Sequence, residues 1–480
     1  MSGFLRPASL IAAALAIVPG AAAPAVRATA HESVTAIVGA TVIHPELAGD
    51  AAVAKDSTVI IVGNRIRAVG PAATTRVPAR AAVIDARGKW VTPGLIDSHV
   101  HFHQSGNLYT RPDAADFNRW MPYAKEIARN KARLPATFKV WLASGVTSVV
   151  DVGGPFWNFE VRAAARASPA APRVHVAGPL ISTIARPQLD FGDPPIIKVS
   201  SPDEARALVK RELAYEPDLI KVWFIYDPGD DIAVGEAIAK AAADAAHEGG
   251  VRLAVHATQL VVAKAALRAG ADYLVHSVED EPVDAEFIAL AKSRHALYCP
   301  TLFVRMGYRY ALAGTWQATE AEQRLADPEI LAAMHDLERI PNDLYPDRVV
   351  KLMSEHKPPA LPLVAMQNLR KVWEAGIPVA MGTDAGNIGT LHGPSVFREM
   401  ALMAQSGLPS LEVLRSATVN GAAVMGMERD LGTIAPGRLA DLVILDADPL
   451  ADLGNLSRIN RVIKDGQGFV PAELMRSLAK

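Results

Sequence analysis

The chain has 480 residues, half of them hydrophobic, with 49 basic against 51 acidic side chains and a formal net charge of -2. That balance excludes the electrostatic footprint of a nucleic-acid or anionic-membrane binder, so no nucleic acid and no membrane is expected as partner, only a small-molecule substrate. The length allows one large domain and one smaller one, and Cys299, the single cysteine, excludes an internal disulfide.

The first thirty residues carry Arg6, an apolar run from Leu10 to Val18 and then small residues. A spanning helix needs roughly 20 apolar residues, so residues 1–30 read as a secretory signal peptide, cut near Ala22 or after Ala30, and the mature chain as periplasmic or secreted. From 31 to 92 come short β-branched runs broken by Gly, Asn and Pro, with Gly63-Asn64 as a hairpin turn between Ile60-Ile61-Val62 and Arg65-Ile66. Similar runs return in 428–480, in LGTIAPGRLADLVILDADPL and INRVIKDG. The two ends predict one small β-sandwich domain, leaving 93–427 as an insertion with its own core.

That middle alternates short apolar runs with alanine-rich helical ones. Candidate strands are 94–103, 145–153, 173–179, 219–224, 251–257, 273–277, 296–301 and 378–386. Eight strands alternating with helices predict an α/β fold, a (β/α)8 TIM-like barrel. The seventh and eighth are separated by about 303–375, whose pieces ILAAMHDLERI and DRVVKLMSEH are helical in pattern. An insertion after a strand lies at the active-site face, where it acts as a lid.

The chemistry collects at the predicted strand ends. PGLIDSHVHFHQSG places His99, His101 and His103 on alternate positions, hence on one face of a strand. Imidazole is the commonest metal ligand; solvated rings at a strand end are the plainer reading. Lys221 lies inside LIKVWF, His256 ends the fifth strand, His276 the sixth, and Asp384 stands in GTDAG. An ammonium in an apolar strand is costly to bury and loses its proton more easily. Neutral lysine adds carbon dioxide to give a carbamate, able to bridge two metal ions; pairing with an acid inside the barrel is the alternative for Lys221.

Taken together these residues resemble the metal-dependent amidohydrolase superfamily over nearly the whole mature chain. PGLIDSHVHF resembles its first-strand signature, LIKVWF its carbamylated-lysine strand, AVHA and LVHS its single-histidine strands, and GTDAG its last strand. The spacing of Lys221, His256 and His276 is similar to the branch of imidazolonepropionase-like enzymes, Xaa-Pro and Xaa-Arg dipeptidases and ochratoxin amidases. The resemblance implies two divalent metal ions, zinc being the expected one. It gives His99, His101 and Asp384 to one ion, His256 and His276 to the other, and the carbamate of Lys221 as bridge. It further implies attack of a hydroxide held between the ions on an amide carbonyl, with Asp384 carrying the proton to the departing amine. Self-association into a homo-oligomer is also implied.

Recognition differs from that pattern. Where many dipeptidase-like members carry Gly-Gly-His after the third strand, this chain reads PLISTIAR, and after the lysine strand it reads FIYDPG instead of a Gly-Gly turn. Arg186, Tyr226, Arg305 and Arg309 are candidate holders of a substrate carboxylate, with surface salt bridges as the alternative. His103 is expected to line the pocket or support a ligand, or else to be an ordinary strand-end histidine. His392, in the loop beyond Asp384, is a pocket candidate or a plain loop residue. The expected activity is hydrolysis of an amide in a dipeptide or N-acyl amino acid. The alternatives are a mononuclear deaminase or cyclic amide hydrolase, which has no need of Lys221, and a metal-free binding protein on the same barrel.

Overall fold

Period-two runs of β-branched residues become strands at both ends of the chain. The computed structural model describes residues 32–355 and 360–478, and the expected signal peptide lies outside them. The strands in chain order are β1 Val34–Ile43, β2 Val53–Val62, β3 Arg65–Pro71, β4 Ala82–Asp85, β5 Trp90–Pro93, β6 Leu95–Val100, β7 Val146–Asp151, β8 Arg173–Val176, β9 Leu180–Ser182 and β10 Ile196–Lys198. They continue with β11 Leu219–Trp223, β12 Arg252–His256, β13 Tyr273–Val275, β14 Leu297–Cys299, β15 Leu442–Leu445, β16 Ile459–Lys464 and β17 Gln467–Phe469.

The terminal strands form one mixed sheet of eight, in the order β17-β16-β15-β5-β1-β2-β3 with β4 alongside β1. The Gly63-Asn64 turn sets Val62 opposite Arg65, with Gly63 at a φ of 58°. Ile66 donates its N–H to Arg438 and Ala440 donates to Asn64, so β3 meets the segment leading into β15. The sheet therefore bends back on itself around Ile37, Val42, Val59, Ile61, Leu442 and Ile444. A single bent sheet takes the place of the two sheets that a sandwich would have.

The middle of the chain builds parallel sheets. One runs β6-β7-β8, the other β10-β9-β11-β12-β13-β14. The expected eighth strand, 378–386, touches both through single bridges, Val379 to Tyr298 and Ala385 to Val100. β8 reaches β11 through one bond, from the Asp218 N–H to the Val176 carbonyl. The arrangement is TIM-barrel-like without a continuous ladder around it. The eighth segment has local reasons for that: Pro378 has no N–H to give, and Asp384 stands at a φ of 61°, off any strand geometry. β9 and β10, which sequence patterning did not anticipate, add to the β11 edge between the third and fourth expected strands, Ile181 pairing with Val222.

Alanine-rich helices Ile232–Glu248 and Leu260–Ala269 pack on this sheet through Ala239, Ala242, Ala246, Ala263 and Ala266, all fully buried. Burying each aliphatic side chain of the sheet, Ile220 and Leu253 among them, contributes about 1.5–3 kcal/mol. The insertion after β14 folds as helices Val304–Leu312, Glu320–Leu325, Pro328–Ala333, Asp347–Glu355 and Leu363–Glu374. Its core joins Leu312, Trp316, Ile330 and Val349 to Leu108 and Phe117 from the loop after β6. Buried Glu399 accepts the N–H groups of Leu302 and Phe303 at 2.8 and 2.9 Å, fixing where the first insertion helix starts. Among the described residues no helix is long and apolar enough to cross a membrane.

Candidate metal centre

Asp97, His99 and His101 alternate along β6 and its exit, so they face inward together. The buried Asp97 carboxylate accepts from the N–H of His99 at 3.1 Å and from Thr383, through its N–H at 3.0 Å and its hydroxyl at 2.6 Å. Burial pushes Asp97 up to about 7 against the pull of the Thr383 hydroxyl. Asp97 thus clamps the first strand to the eighth segment, and the N–H of Asp384 donates to the His99 carbonyl at 2.7 Å. The left-handed backbone at Asp384 turns its Oδ1 to within 3.3 Å of His99 Nε2 and 3.0 Å of His101 Nε2. His101 Nδ1 lies 2.6 Å from the Gly153 carbonyl, so Nδ1 carries the hydrogen and Nε2 keeps its lone pair for a ligand role.

β11 supplies Lys221, only 1% exposed, whose ammonium nitrogen has no partner. Burial lowers it to about 7. In the adjoining ladder Trp223 stands opposite His256, whose ring lies 4.4 Å from that of His276, and His276 lies 4.8 Å from His99. His276 takes a φ of 74° and sets its Nδ1 2.7 Å from the Thr301 hydroxyl. Burial, and then neighbouring positive charge, holds the imidazoles of His99, His256 and His276 well below their usual range. They are neutral, the form that ligates.

Six predicted ligands are therefore brought together. Both nitrogens of His99 and the Lys221 nitrogen are buried without a hydrogen-bond partner, a condition that costs about 1–3 kcal/mol for each such group. Donor atoms of His99, His101 and Asp384 all lie within 4.8 Å of one another, and an N,N,O set of this kind suits a divalent ion such as zinc. The residues fit a metal, and the unpartnered Nε2 of His99, which faces Asp384, gains a partner by holding one.

The cluster opens into a cavity of about 860 Å³. His103 lines it, with its Nε2 3.1 Å from the Gln104 amide. Arg186 lines it too, stacked on Trp223 at 5.2 Å and 3.7 Å from Asp113. Arg305 and Arg309 stand on its insertion side, paired with Glu279 at 2.8 Å and Glu355 at 3.0 Å. Tyr226 and His392 are not among its lining residues. Tyr226 packs against the main core, and His392 stacks on Phe102 and reaches the Gln104 carbonyl at 2.8 Å, facing a separate small cavity. A loop position near a ligand does not decide which side of the loop a ring falls on.

Sequence reasoning missed several wall residues. Arg111 grips Asp113 with two bonds of 2.7 Å, and Arg111 and Tyr308 both donate to the side-chain oxygen of Asn387, at 2.9 and 2.7 Å. The run Arg111-Pro112-Asp113 and the nearness of Asn387 to Asp384 are faint signals; Tyr308 has none, since only the fold of the insertion brings it there.

Comparison with known proteins agrees with this geometry. The model of the amidohydrolase family matches residues 90–468. An imidazolonepropionase from Rhizorhabdus wittichii is 27% identical over 437 residues, covering 84% of this chain and 90% of that protein. A solved Xaa-Pro dipeptidase with bound methionine superposes at a TM-score of 0.67 and 24% identity, over 91% of this chain and 100% of its own. The ochratoxinase of A. niger superposes at 0.67 and 20% identity, over 92% and 96%. At these identities the two structures speak for the fold.

Proposed function

The chain belongs to the amidohydrolase family, and from that premise we propose that it hydrolyses an amide bond in a small substrate, a dipeptide or an N-acyl amino acid. In this reading His99, His101 and Asp384 would hold one divalent ion, zinc, and His256 and His276 a second. Lys221, as its carbamate, would add carboxylate-type oxygens to that ligand set. The observation that carries the reading is the convergence of these six side chains around buried nitrogens that lack any other partner. With Lys221 lowered to about 7, its neutral amine, the form that adds carbon dioxide, is well populated at neutral pH.

Bound divalent ions supply Lewis acidity toward a carbonyl and acidify water. The chain's own groups do the rest. Asp384 accepts the proton of the attacking water at a carboxylate oxygen and passes it to the amine nitrogen as the C–N bond breaks. The bond from His101 to the Gly153 carbonyl keeps that ring from turning. Arg186 shares Asp113 with Arg111 and so has donors left for a substrate carboxylate. Arg348 and Lys351 line the same cavity with no ion pair among the described residues. Export of the mature chain is part of the same proposal, on the strength of the N-terminal apolar run.

The test is the metal content of the purified mature protein, grown with bicarbonate and measured by elemental mass spectrometry, followed by turnover of N-acyl amino acids and dipeptides. About two ions per chain with amide turnover is the expected result. One ion points to mononuclear chemistry on the compact His99, His101, Asp384 group, and none after supplementation overturns the reading.

A further inference from the structure

We propose that Asn387 is a positioning residue for Asp384, and that through it Tyr308 on the insertion and Arg111 after β6 fix the direction of the catalytic carboxylate. The proposal rests on the metallohydrolase reading above. Asp384 needs such help because its left-handed backbone, φ 61°, leaves the side chain without support from a strand ladder. Asn387, three residues on and only 3% exposed, supplies it. Its side-chain amide donates to Asp384 Oδ1 at 2.7 Å and to the Asp384 main-chain carbonyl at 3.2 Å, closing a small ring around that residue.

The orientation of the amide is itself determined. On one side its neighbours are a carboxylate and a carbonyl, which only accept; on the other is a guanidinium, which only donates, together with a phenol. The Asn387 nitrogen must therefore face Asp384, and its oxygen must face Arg111 at 2.9 Å and Tyr308 at 2.7 Å. Arg111 is held in turn by its two bonds to Asp113. Three elements distant in sequence thus meet on one amide: the loop after β6, the first insertion helix and the loop after 378–386. The oxygen that Asn387 grips is the one that faces His99 and His101. Fixing it sets both the ligand direction and the path of the proton.

Asn387→Asp and Tyr308→Phe separate this role from a merely structural one. Asn387→Asp keeps an acceptor for Arg111 and Tyr308 but turns a second carboxylate toward Asp384. Tyr308→Phe removes one remote bond and touches neither Asp384 nor the metal ligands. In the mature protein loaded with zinc, three quantities are measured: the rate of zinc loss to a chelator, kcat and KM on an N-acyl amino acid, and the melting midpoint of the metal-free form.

For Asn387→Asp we expect zinc loss to quicken and kcat to fall by about 10- to 100-fold, the range for a partner of a metal ligand, with KM unchanged. For Tyr308→Phe the same two quantities move by about fivefold, the worth of one hydrogen bond, while the metal-free midpoint drops by no more than the loss of that bond explains. Should Asn387→Asp fail to fold, Tyr308→Phe decides. Wild-type zinc loss and kcat in Tyr308→Phe overturn the proposal. So does a change confined to KM, which marks a substrate contact, or a midpoint drop larger than the loss of one hydrogen bond explains, which marks a structural role. A wild-type protein that takes up no zinc overturns this proposal together with the metallohydrolase reading. Zinc held without any amide cleaved overturns the substrate assignment alone, and the zinc-loss rates still decide the role of Asn387.

Discussion

The floor and the wall of the cavity handle polar groups in opposite ways. On the floor, His99 and Lys221 present nitrogens with no hydrogen-bond partner. On the wall, Arg111 is paired with Asp113, Arg305 with Glu279 and Arg309 with Glu355. Unpartnered lone pairs are costly in the protein alone and become favourable once a cation takes them up. Paired charges are stable as they stand and lend shape and direction. Under the proposed function, the contrast would separate the place where a reaction is activated from the place where a substrate is oriented, within one cavity.

Removing a floor group should do the most damage. Lys221→Ala is expected to lose bound metal and turnover together, with activity down by more than about 100-fold, beyond the range for a residue that merely supports a ligand; elemental analysis beside a kinetic assay checks it. Two ions and full turnover in that variant would sink the bridging carbamate. Next comes the wall pair with the most burial. Arg111→Ala leaves Asp113 with only its longer contact to Arg186 and releases Asn387, and urea unfolding should show a loss of about 2–3 kcal/mol, below the range for a buried pair that loses its one partner.

Smaller per unit of pH is a dependence that comes from a group outside the ligand set. Burial raises Glu399 from an ordinary 4.5 to about 8, against the N–H groups of Leu302 and Phe303. Between those values the native state holds a proton that the unfolded chain has released, so stability falls as pH rises through that window. The slope from this group reaches about 1.4 kcal/mol per pH unit, and Glu399→Gln should flatten it in unfolding titrations. At the bottom of the scale stands Arg305→Ala. Its side chain is 70% exposed, and a shift in stability of less than about 0.5 kcal/mol is expected. A large loss there would break the division between floor and wall, by showing that an exposed pair carries the cavity.

The floor was readable from sequence because its parts obey short-range rules. His99 and His101 are set by the alternation of one strand, and Lys221 is conspicuous as a charge in an apolar run. His256, His276 and Asp384 each end a recognisable apolar segment. Seven of the eight expected strands appear, shorter than their apolar runs. The eighth exists as two bridges, because Pro378 and the left-handed Asp384 interrupt pairing that hydropathy alone cannot foresee. The wall was not readable. Arg111, Asn387 and Tyr308 meet only when a helix of the insertion packs over the loop after β6, and no periodicity encodes that meeting. Arg186, Arg305 and Arg309, chosen because they follow strands, do line the cavity; Tyr226, chosen on the same ground, and His392, chosen for its place in the loop beyond Asp384, do not, because a loop's path decides which way a ring faces.

The bent terminal sheet bears on how the molecule comes into being. β15 pairs with β5, Leu442 opposite Pro93 and Leu445 opposite Trp90, a contact that closes a loop of about 350 residues and is among the slowest kinds to form. During synthesis β1 to β5 must wait, with β5 open along one edge, while the whole metal-binding region is made and folds. Until the last strands arrive, that edge is exposed to pairing with other chains, so the period of greatest aggregation risk falls late, after the future active site has already taken shape.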